Sequence, residues 1–212
     1  FVGTDTFTFT ASDGALVSTE KTVTVKVIAG YKTTASQIGE NINGEAADDQ
    51  SGTSVSFNED GTVMAVGAPA NDSNGDSSGH VRVYSYNGTT WDQLGADIDG
   101  EAAGDQSGES VSLSSDGLIL AVGAYLNDGN GNNSGHVRVY SYNGTAWAQL
   151  GADINGEAAG DYSGESVSLS SDGLTLAVGA RYNDGNGDDS GHVRVYSYDG
   201  TAWEQKGADI NG

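Results

Sequence analysis

The sequence lacks cysteine, has a single proline, and contains no long hydrophobic run. Because there is no cysteine, no disulfide can stabilise the fold. A secreted protein of this size can be stable without disulfides, so this absence leaves the compartment open. No stretch approaches the roughly 18 apolar residues of a membrane-spanning helix, and we expect no insertion into a membrane.

Basic residues are also scarce, because 8 Lys and Arg stand against 30 Asp and Glu, for a net charge of -22. A surface this negative repels nucleic acid and anionic membranes. It suits divalent cations or a basic partner, and simple solubility explains it equally well. The composition therefore predicts no nucleic-acid partner and leaves cation binding open.

Glycine is abundant, with 33 residues, and long runs of helix formers are absent. This composition favours short strands joined by tight turns, that is, an all-β fold. The chain begins in mid-pattern without Met and shows no signal peptide. We expect it to be a mature or excised piece of a longer chain.

One unit of 56 residues repeats along most of the chain. The segment Ser-Gly-His-Val-Arg-Val-Tyr-Ser-Tyr occurs three times, with its histidine at His80, His136 and His192. The second and third units differ at only ten positions. Such a period indicates a propeller, a solenoid or another repeat array. The register defines three whole units and two partial ones: 39–94, 95–150 and 151–206, with 31–38 before them and 207–212 after them.

Each unit is predicted to form four short strands, and the second unit shows the pattern. Alternation and turn signals predict strands at 110–114, 118–122 and 136–142, followed by an Asn143-Gly144 hairpin turn. A fourth strand begins near Thr145, and residues 153–164 cross to the next unit. Four antiparallel strands form one propeller blade, and a single blade is too small to be stable without neighbours.

A series of short motifs in each unit is similar to a known repeat. The first unit contains Ser51-Gly52-Thr53-Ser54-Val55 and then Val66-Gly67-Ala68-Pro69, followed by Val-Arg-Val-Tyr. This order resembles the FG-GAP repeat of integrin-α-type β-propellers, and the resemblance covers residues 31–212. It implies tandem propeller blades, and we expect an extracellular or cell-surface location. The Asp-rich calcium loop of that family is replaced here by short turns, so its calcium site is not carried over.

The N-terminal residues 1–30 lack the repeat. Phe7 and Phe9 alternate with polar residues before Asp13-Gly14, and Val23 and Val25 do so after it. This pattern predicts a β-hairpin that resembles the end of a bacterial cadherin-like or Ig-like domain. Such a sandwich needs about seven strands. We expect the hairpin either to pack on the blades or to be completed by a strand from another chain. The predicted junction is Ala29-Gly30.

The polar loop between the second and third strands is the candidate metal site. Oxygen-bearing side chains alternate along it, and glycines allow tight curvature, as a calcium ion requires. Asp, Asn and Gly are also ordinary loop residues, so a plain polar loop is the alternative. The candidate ligands are Asp72, Asn74 and Asp76, then Asp128, Asn130 and Asn132, then Asp184, Asn186 and Asp188.

The remaining recurring side chains are predicted to be structural. Each arginine of the third strand should pair with a carboxylate of its own or the next blade. The histidines lie in different blades and should not share one metal ion. The acidic clusters on the connections, Glu101 with Asp105 and their copies at Glu157 with Asp161 and Glu45 with Asp48 and Asp49, should form a solvated face, with a supply of distant metal ligands as the alternative. The tryptophans should be buried between blades, although stacking on sugar rings is an alternative. These arginines and tryptophans are Arg82, Arg138 and Arg194, and Trp91, Trp147 and Trp203.

No catalytic set stands out, since cysteine is absent and no histidine lies in a nucleophile motif. The sequence therefore predicts no catalytic residue and a protein that is not an enzyme. The leading hypothesis is an extracellular structural or adhesive module that joins copies of itself or adjoining domains by strand addition and blade packing, with calcium as the candidate stabilising ion. The alternative is a glycan-binding, lectin-like propeller. A third hypothesis is an enzyme whose active residues lie in blades outside this chain.

Overall fold

The structure is a computed structural model and describes residues 3–9, 21–27 and 37–212. All regular structure in these ranges is β-strand, which confirms the predicted all-β class. None of the described residues forms a helix long and apolar enough to cross a membrane. The chain divides into two compact units, Phe1–Ile38 and Gly39–Gly212.

The N-terminal unit contains a two-stranded antiparallel sheet. Strands β1 (Gly3–Phe9) and β2 (Lys21–Val27) pair from Gly3 opposite Val27 to Phe9 opposite Lys21. The predicted Asp13-Gly14 turn and the Ala29-Gly30 junction lie outside the described residues. That this sheet ends a cadherin-like or Ig-like domain stays a prediction.

The second compact unit, Gly39–Gly212, contains three antiparallel sheets of the same design, which confirms the predicted blades. Blade 1 comprises β3 (Ser54–Phe57), β4 (Val63–Ala68), β5 (His80–Tyr86), β6 (Trp91–Gln93) and β7 (Ile98–Asp99). Blade 2 comprises β8 (Ser110–Leu113), β9 (Ile119–Ala124), β10 (His136–Tyr142), β11 (Trp147–Gln149) and β12 (Ile154–Asn155). Blade 3 comprises β13 (Ser166–Leu169), β14 (Thr175–Ala180), β15 (His192–Tyr198), β16 (Trp203–Gln205) and β17 (Ile210–Asn211).

The fourth strand of each blade runs further than predicted. In blade 2 it consists of two segments, β11 and β12, which both pair with β10. Residues 153–164 were predicted to cross to the next unit, but Ile154 lies opposite Val137 in the sheet. The blade therefore extends past the end of its 56-residue unit, because the start of each repeat completes the sheet of the preceding one.

Adjacent blades pack face to face through apolar side chains. We call the face directed at the following blade the front and the opposite face the back. Alternation along the strands gives each blade one set of apolar residues on each face. At the contact between blades 2 and 3, the front contributes Ala121, Val137, Val139 and Ile154, and the back contributes Leu176, Val178 and Tyr196.

Glycine allows the inner strands of adjacent blades to approach closely. A Cβ added to Gly123 on β9 would overlap the carbonyl oxygen of Gly164. The same backbone carbonyl accepts a hydrogen bond of 2.7 Å from the Ser110 hydroxyl. Gly67 and Gly108 repeat this contact between blades 1 and 2. The Val-Gly-Ala segment of the repeat is therefore part of the contact between blades.

Candidate functional site

Each blade positions one histidine and one arginine beside two carboxylates. In blade 1, His80 and Arg82 are two residues apart on β5, so their side chains lie on the same face of the sheet. Glu45 comes from the connection before the blade, and Asp97 lies between β6 and β7. We call this set of four residues a tetrad. The others are Glu101, His136, Arg138 and Asp153 in blade 2, and Glu157, His192, Arg194 and Asp209 in blade 3.

The arginine of the blade 1 tetrad uses one oxygen of each carboxylate. Arg82 Nε lies 3.2 Å from Asp97 Oδ1, and Arg82 Nη2 contacts Glu45 Oε1. The second oxygens face the imidazole, since His80 Nδ1 lies 3.8 Å from Glu45 Oε2 and 3.9 Å from Asp97 Oδ2. These separations exceed the length of a hydrogen bond. The predicted pairing of the arginine with carboxylates is confirmed.

The other two tetrads bring the same four residue types together, but the bonds of the arginine differ: in blade 3, Arg194 Nη1 lies 3.4 Å from Glu157 Oε1, and Nη2 donates to the Asn155 carbonyl at 3.4 Å. In blade 2, Arg138 binds Asp153 through Nε at 2.8 Å and Nη2 at 3.1 Å, and it also contacts Glu101. In blade 3, His192 Nδ1 lies 3.9 Å from both Glu157 Oε2 and Asp209 Oδ2. Each histidine occupies its own blade and meets the two carboxylates of its own tetrad.

Burial and the neighbouring charges set the protonation states within the blade 2 tetrad. Burial and then the charge of Arg138 lower the pKa of His136. Burial alone would lower the pKa of Arg138, but its hydrogen bonds to Asp153 and Glu101 raise that pKa overall. The same bond from Arg138 lowers the pKa of Asp153. At neutral pH the tetrad therefore combines a neutral imidazole with a guanidinium and an ionised aspartate.

The predicted calcium loops use some of their polar groups to fix their own shape. Asp72 Oδ1 accepts a hydrogen bond of 2.7 Å from the Ser77 backbone, and Asp128 and Asp184 do the same in blades 2 and 3. The Asn74 amide donates to the carbonyl of Gly100 at 2.7 Å, and Asn130 and Asn186 repeat that bond. Asp76, Asn132 and Asp188 remain exposed. Calcium binding by these loops stays a prediction.

The acids of the connections do not form a solvated face as a group, contrary to the prediction. Asp105 is buried, and its carboxylate accepts hydrogen bonds from the Asn127 amide at 2.9 Å and the Ala102 backbone at 3.2 Å. Glu101 is directed instead to its tetrad. A buried carboxylate needs such donors, and Asn127 lies 22 residues further along the chain, so the sequence spacing did not indicate this partner.

The tryptophans contribute to the contacts between blades. Trp147 Nε1 donates to the carbonyl of Leu94 at 2.8 Å, and Trp203 Nε1 donates to that of Leu150 at 2.8 Å. Each ring also packs against a tyrosine of its own blade, as Trp147 does against Tyr142 at 5.2 Å between centroids. These side chains are partly buried, in agreement with the structural interpretation of the sequence.

Three tyrosines form a cluster that the sequence analysis missed. Tyr162 lies between Tyr125 and Tyr182, with ring centroids 5.8 Å and 5.1 Å away, in edge-on arrangements. Arg181 stacks 4.5 Å above the Tyr182 ring and binds Glu165 at 2.7 Å. The three tyrosines and Arg181 line an open cavity of about 520 Å³. The cluster combines side chains of blades 2 and 3.

One sequence signal could have revealed this cluster. Tyr125, Tyr162 and Tyr182 occupy three of the ten positions at which the second and third units differ. The equivalent residues in the neighbouring unit are Arg181, Gln106 and Leu126. Positions that break a nearly perfect repeat are where a propeller acquires a unique surface, but their proximity depends on how two blades pack.

Comparison with known proteins identifies FG-GAP repeats in this chain. The FG-GAP repeat model matches residues 97–140 and 154–196. The resemblance of the predicted motifs is thus confirmed for these two segments. FG-GAP repeats are typical of extracellular proteins. No curated protein matches the sequence.

Solved structures resemble this chain at low sequence identity. A candidate 6-phosphogluconolactonase from Bacteroides uniformis is 18% identical, with a TM-score of 0.51 over 74% of this chain and 39% of its own. Hydrazine synthase of Kuenenia stuttgartiensis is 11% identical, with a TM-score of 0.48 over 86% and 41%. A periplasmic gluconolactonase of Pseudomonas aeruginosa is 14% identical, with a TM-score of 0.39 over 76% and 57%. The chain thus spans about two fifths of the first two structures.

The first of these structures corrects the prediction that the chain is not an enzyme. Its blades have the fold of the present ones, and it is described as a candidate lactonase. The prediction was wrong because it rested on the symmetric recurrence of the acids and on the absence of nucleophile motifs. The tyrosine cluster shows that unlike residues of two blades do meet on this chain. At 18% identity the likeness shows the fold alone.

Proposed function

We propose that this chain is an extracellular structural or adhesive repeat module that joins copies of itself through its blade faces. The observation that supports this proposal is the state of the two terminal faces. Val193 and Ile210 on the front of blade 3 are 38% and 60% exposed, whereas Val137 and Ile154, their equivalents in blade 2, are 0% and 6% exposed. Phe57 on the back of blade 1 is 52% exposed, whereas its equivalent Leu113 is 7% exposed.

The two terminal faces match each other as the internal faces do. A front face of this repeat packs against a back face at both internal contacts. The exposed front of blade 3 can therefore accept the exposed part of the back of blade 1, at Phe57, from a second copy. Such a head-to-tail contact is heterologous and gives either a closed ring or an open array. Two copies of three blades would supply six blades, within the usual range of propellers.

Molecular mass in solution tests this proposal. Light scattering coupled to size exclusion should show concentration-dependent association, and Val193→Asp or Phe57→Asp should shift the chain towards the monomer, because each buries a charge in the new contact. Leu174→Asp is the matched control, since Leu174 is 41% exposed but belongs to neither of the apolar clusters between blades. A wild-type chain that stays monomeric at every concentration would contradict self-association.

Strand addition by the N-terminal sheet is the second part of the proposal. Among the described residues, strands β1 and β2 form a sheet of two strands, and such a sheet is marginal in water unless further strands or a packed face support it. A strand from another chain would supply that support. Deletion of residues 1–28 in the Val193→Asp variant should therefore reduce association below the level of the Val193→Asp variant itself. Equal association of the deleted and full chains would reject this part and leave blade packing intact.

Calcium at the polar loops is proposed to rigidify the module. The loop of blade 1 contacts the connection to blade 2, where the Gly104 backbone donates to the Asp76 carbonyl at 2.8 Å. An ion held by Asp72 and Asp76 would stiffen this contact between blades. Calcium should raise the melting temperature, and Asp72→Asn with Asp76→Asn should reduce that rise. An identical response of the wild type and the variant would show that the ion binds elsewhere.

Glycan binding is the second candidate function, and the tyrosine cluster favours it. Aromatic faces beside an arginine and carboxylates are suited to sugar rings and their hydroxyl groups. Burial and the nearby Glu109 and Glu165 raise the pKa of Tyr125, so its hydroxyl stays protonated and donates to the Gln106 side chain at 2.7 Å, which fixes the ring beside the cavity. Tyr182→Ala should abolish any signal on a glycan array, whereas Trp147→Phe should not. A blank array for the wild type would remove this candidate.

A further inference from the structure

Each tetrad brings one imidazole nitrogen and two carboxylate oxygens to a common point. The ligand-type atoms of each histidine, glutamate and aspartate lie within 4.8 Å of one another. The same geometry occurs in all three blades, although the three aspartates belong to the repeat that follows. These sets are distinct from the polar loops and consist of Glu45, His80 and Asp97; Glu101, His136 and Asp153; and Glu157, His192 and Asp209.

The buried imidazole nitrogens lack the partner that such a site needs. The side chains of His80 and His192 are 3% and 1% exposed. Their Nδ1 atoms have no hydrogen-bond partner among the described residues. Both nitrogens point at carboxylate oxygens that are 3.8–3.9 Å away. A buried polar atom without a partner is costly, and it calls for a bridging group.

A divalent cation fits between these atoms better than a proton does. Metal bonds to imidazole and carboxylate are about 2.0–2.4 Å long, so two donors on one ion lie roughly 3–4 Å apart. The observed separations of 3.8–3.9 Å fall in that interval, whereas a direct N–H···O bond would need about 2.7–3.2 Å. The glutamates are 41–45% exposed, which leaves a path from solvent.

The arginine orients the carboxylates without using all of their oxygens. In blade 1, Arg82 binds Glu45 Oε1 and Asp97 Oδ1, while Oε2 and Oδ2 face His80. Outer groups that hold a ligand in this way are usual around metal sites. The two carboxylates and the guanidinium of a tetrad together carry a net charge of about −1, which still attracts a cation.

We propose that each blade holds a divalent transition-metal ion, Zn²⁺ or Mn²⁺, on its histidine, glutamate and aspartate. Mixed nitrogen and oxygen donors suit these ions, whereas calcium prefers oxygen donors alone. Each ion would connect the segment before a blade, the third strand and the end of the fourth strand. Because the aspartate comes from the next repeat, the ions would also connect consecutive repeats.

Isothermal titration of the metal-free chain with Zn²⁺ and with Mn²⁺ tests the proposal. We expect about three ions per chain. The triple variant Glu45→Gln, Glu101→Gln and Glu157→Gln should weaken binding at least tenfold, because it removes one ligand per site. A control triple variant, Glu40→Gln, Glu59→Gln and Glu204→Gln, removes the same charge from exposed residues outside the tetrads. Equal losses in the two variants, or no binding by the wild type, would overturn the proposal.

Imidazole NMR signals provide a readout that does not depend on stability. The chain has three histidines, one per tetrad, so every imidazole signal reports on a proposed site. Zn²⁺ should shift all three signals in the wild type and in the control variant, and should shift none at the same concentration in the tetrad variant. Binding heat without imidazole shifts would place the ions on other acids and reject the tetrads.

Discussion

The contact between blades 2 and 3 and the free front of blade 3 are built from the same residue types in the same register. Val137 and Ile154 at the contact correspond to Val193 and Ile210 at the free face. The first pair is buried and the second is exposed only because a following blade covers one and not the other. Burial in this repeat is thus a property of the neighbour rather than of the local sequence.

This difference in burial between equivalent residues explains how stability is distributed along residues 39–212. Each internal contact buries a full set of apolar side chains, whereas the front of blade 3 leaves Val193 and Ile210 exposed. On the back of blade 1, Phe57 is exposed but Val66 and Tyr84 are buried. In stacked repeats the total stability is approximately the sum of the contributions of single repeats and of the contacts between neighbours. Substitutions at equivalent positions should therefore have unequal effects, and the inequality measures the contact itself.

The largest difference in stability loss between equivalent substitutions should come from the glycine at which two blades approach closely. In Gly123→Ala the new Cβ would overlap the Gly164 carbonyl, and since both partners are backbone the blades must move apart. We expect a loss of about 4 kcal/mol or more in the free energy of unfolding, above the usual cost of overpacking. Urea denaturation followed by circular dichroism measures this loss.

The matched control is Gly179→Ala in blade 3. Gly179 occupies the same position, but the nearest atom to an added Cβ is the hydroxyl oxygen of Ser166, which can rotate away. We expect a loss below about 1 kcal/mol. Equal losses at Gly123 and Gly179 would show that blade 3 is covered in solution or that the close approach is not rigid.

Truncation of the apolar faces should give the next largest difference. Ile154→Ala removes a side chain that is 6% exposed and should cost about 2–3 kcal/mol, because a cavity remains between two blades. Ile210→Ala removes one that is 60% exposed and should cost well under 1 kcal/mol in a dilute sample. Thermal or urea unfolding of the two variants at low concentration measures both values.

Protein concentration sharpens this comparison. If a second copy covers the front of blade 3, the cost of Ile210→Ala should grow as the concentration rises, because Ile210 becomes buried on association. The cost of Ile154→Ala should not change. A concentration-dependent cost at Ile154 instead would mean that the internal contact opens before the chain unfolds.

Local signals were sufficient to predict the strands of each blade. The third strand at 136–142 was predicted with its observed bounds, because alternation and the following Asn-Gly turn define it. The first two strands agree within two residues. The fourth strand was cut short at the end of the repeat, since residues 150–153 interrupt the alternation and only pairing with Val137 shows that Ile154 continues the sheet.

The candidate sites depended on contacts that sequence spacing does not encode. The pairing of Arg82 with carboxylates followed from its isolated charge, but the choice of Glu45 and Asp97 follows from the fold, because these acids are 37 and 15 residues away. The histidines were set aside as metal ligands because only sharing between blades was considered. Each instead meets two acids of its own surroundings. The polar loops were predicted as calcium sites from their Asp, Asn and Gly residues alone.

The smallest expected effect concerns charge at the internal contact. Burial and then the charge of Glu165 raise the pKa of Glu109 above its ordinary value of 4.5, while Arg181 partly opposes this shift. The folded state therefore binds this proton more tightly than the unfolded state, so ionised Glu109 costs stability above its folded pKa. That cost disappears as the pH falls through the folded pKa to below 4.5.

Glu109→Gln should thus make the chain slightly more stable than the wild type at pH 7, by no more than about 0.5 kcal/mol because the group is partly solvated. The gain should fall close to zero at pH 4, where the wild-type carboxyl is mostly protonated in both states. Glu165→Gln is the matched variant at the equivalent position of blade 3. Because Glu165 binds Arg181 at 2.7 Å, its loss should give no gain or a small loss at pH 7. Urea unfolding of all three proteins at both pH values measures these differences in stability. If Glu165→Gln stabilises the chain as much as Glu109→Gln does, general repulsion in an acidic chain is responsible rather than the internal contact.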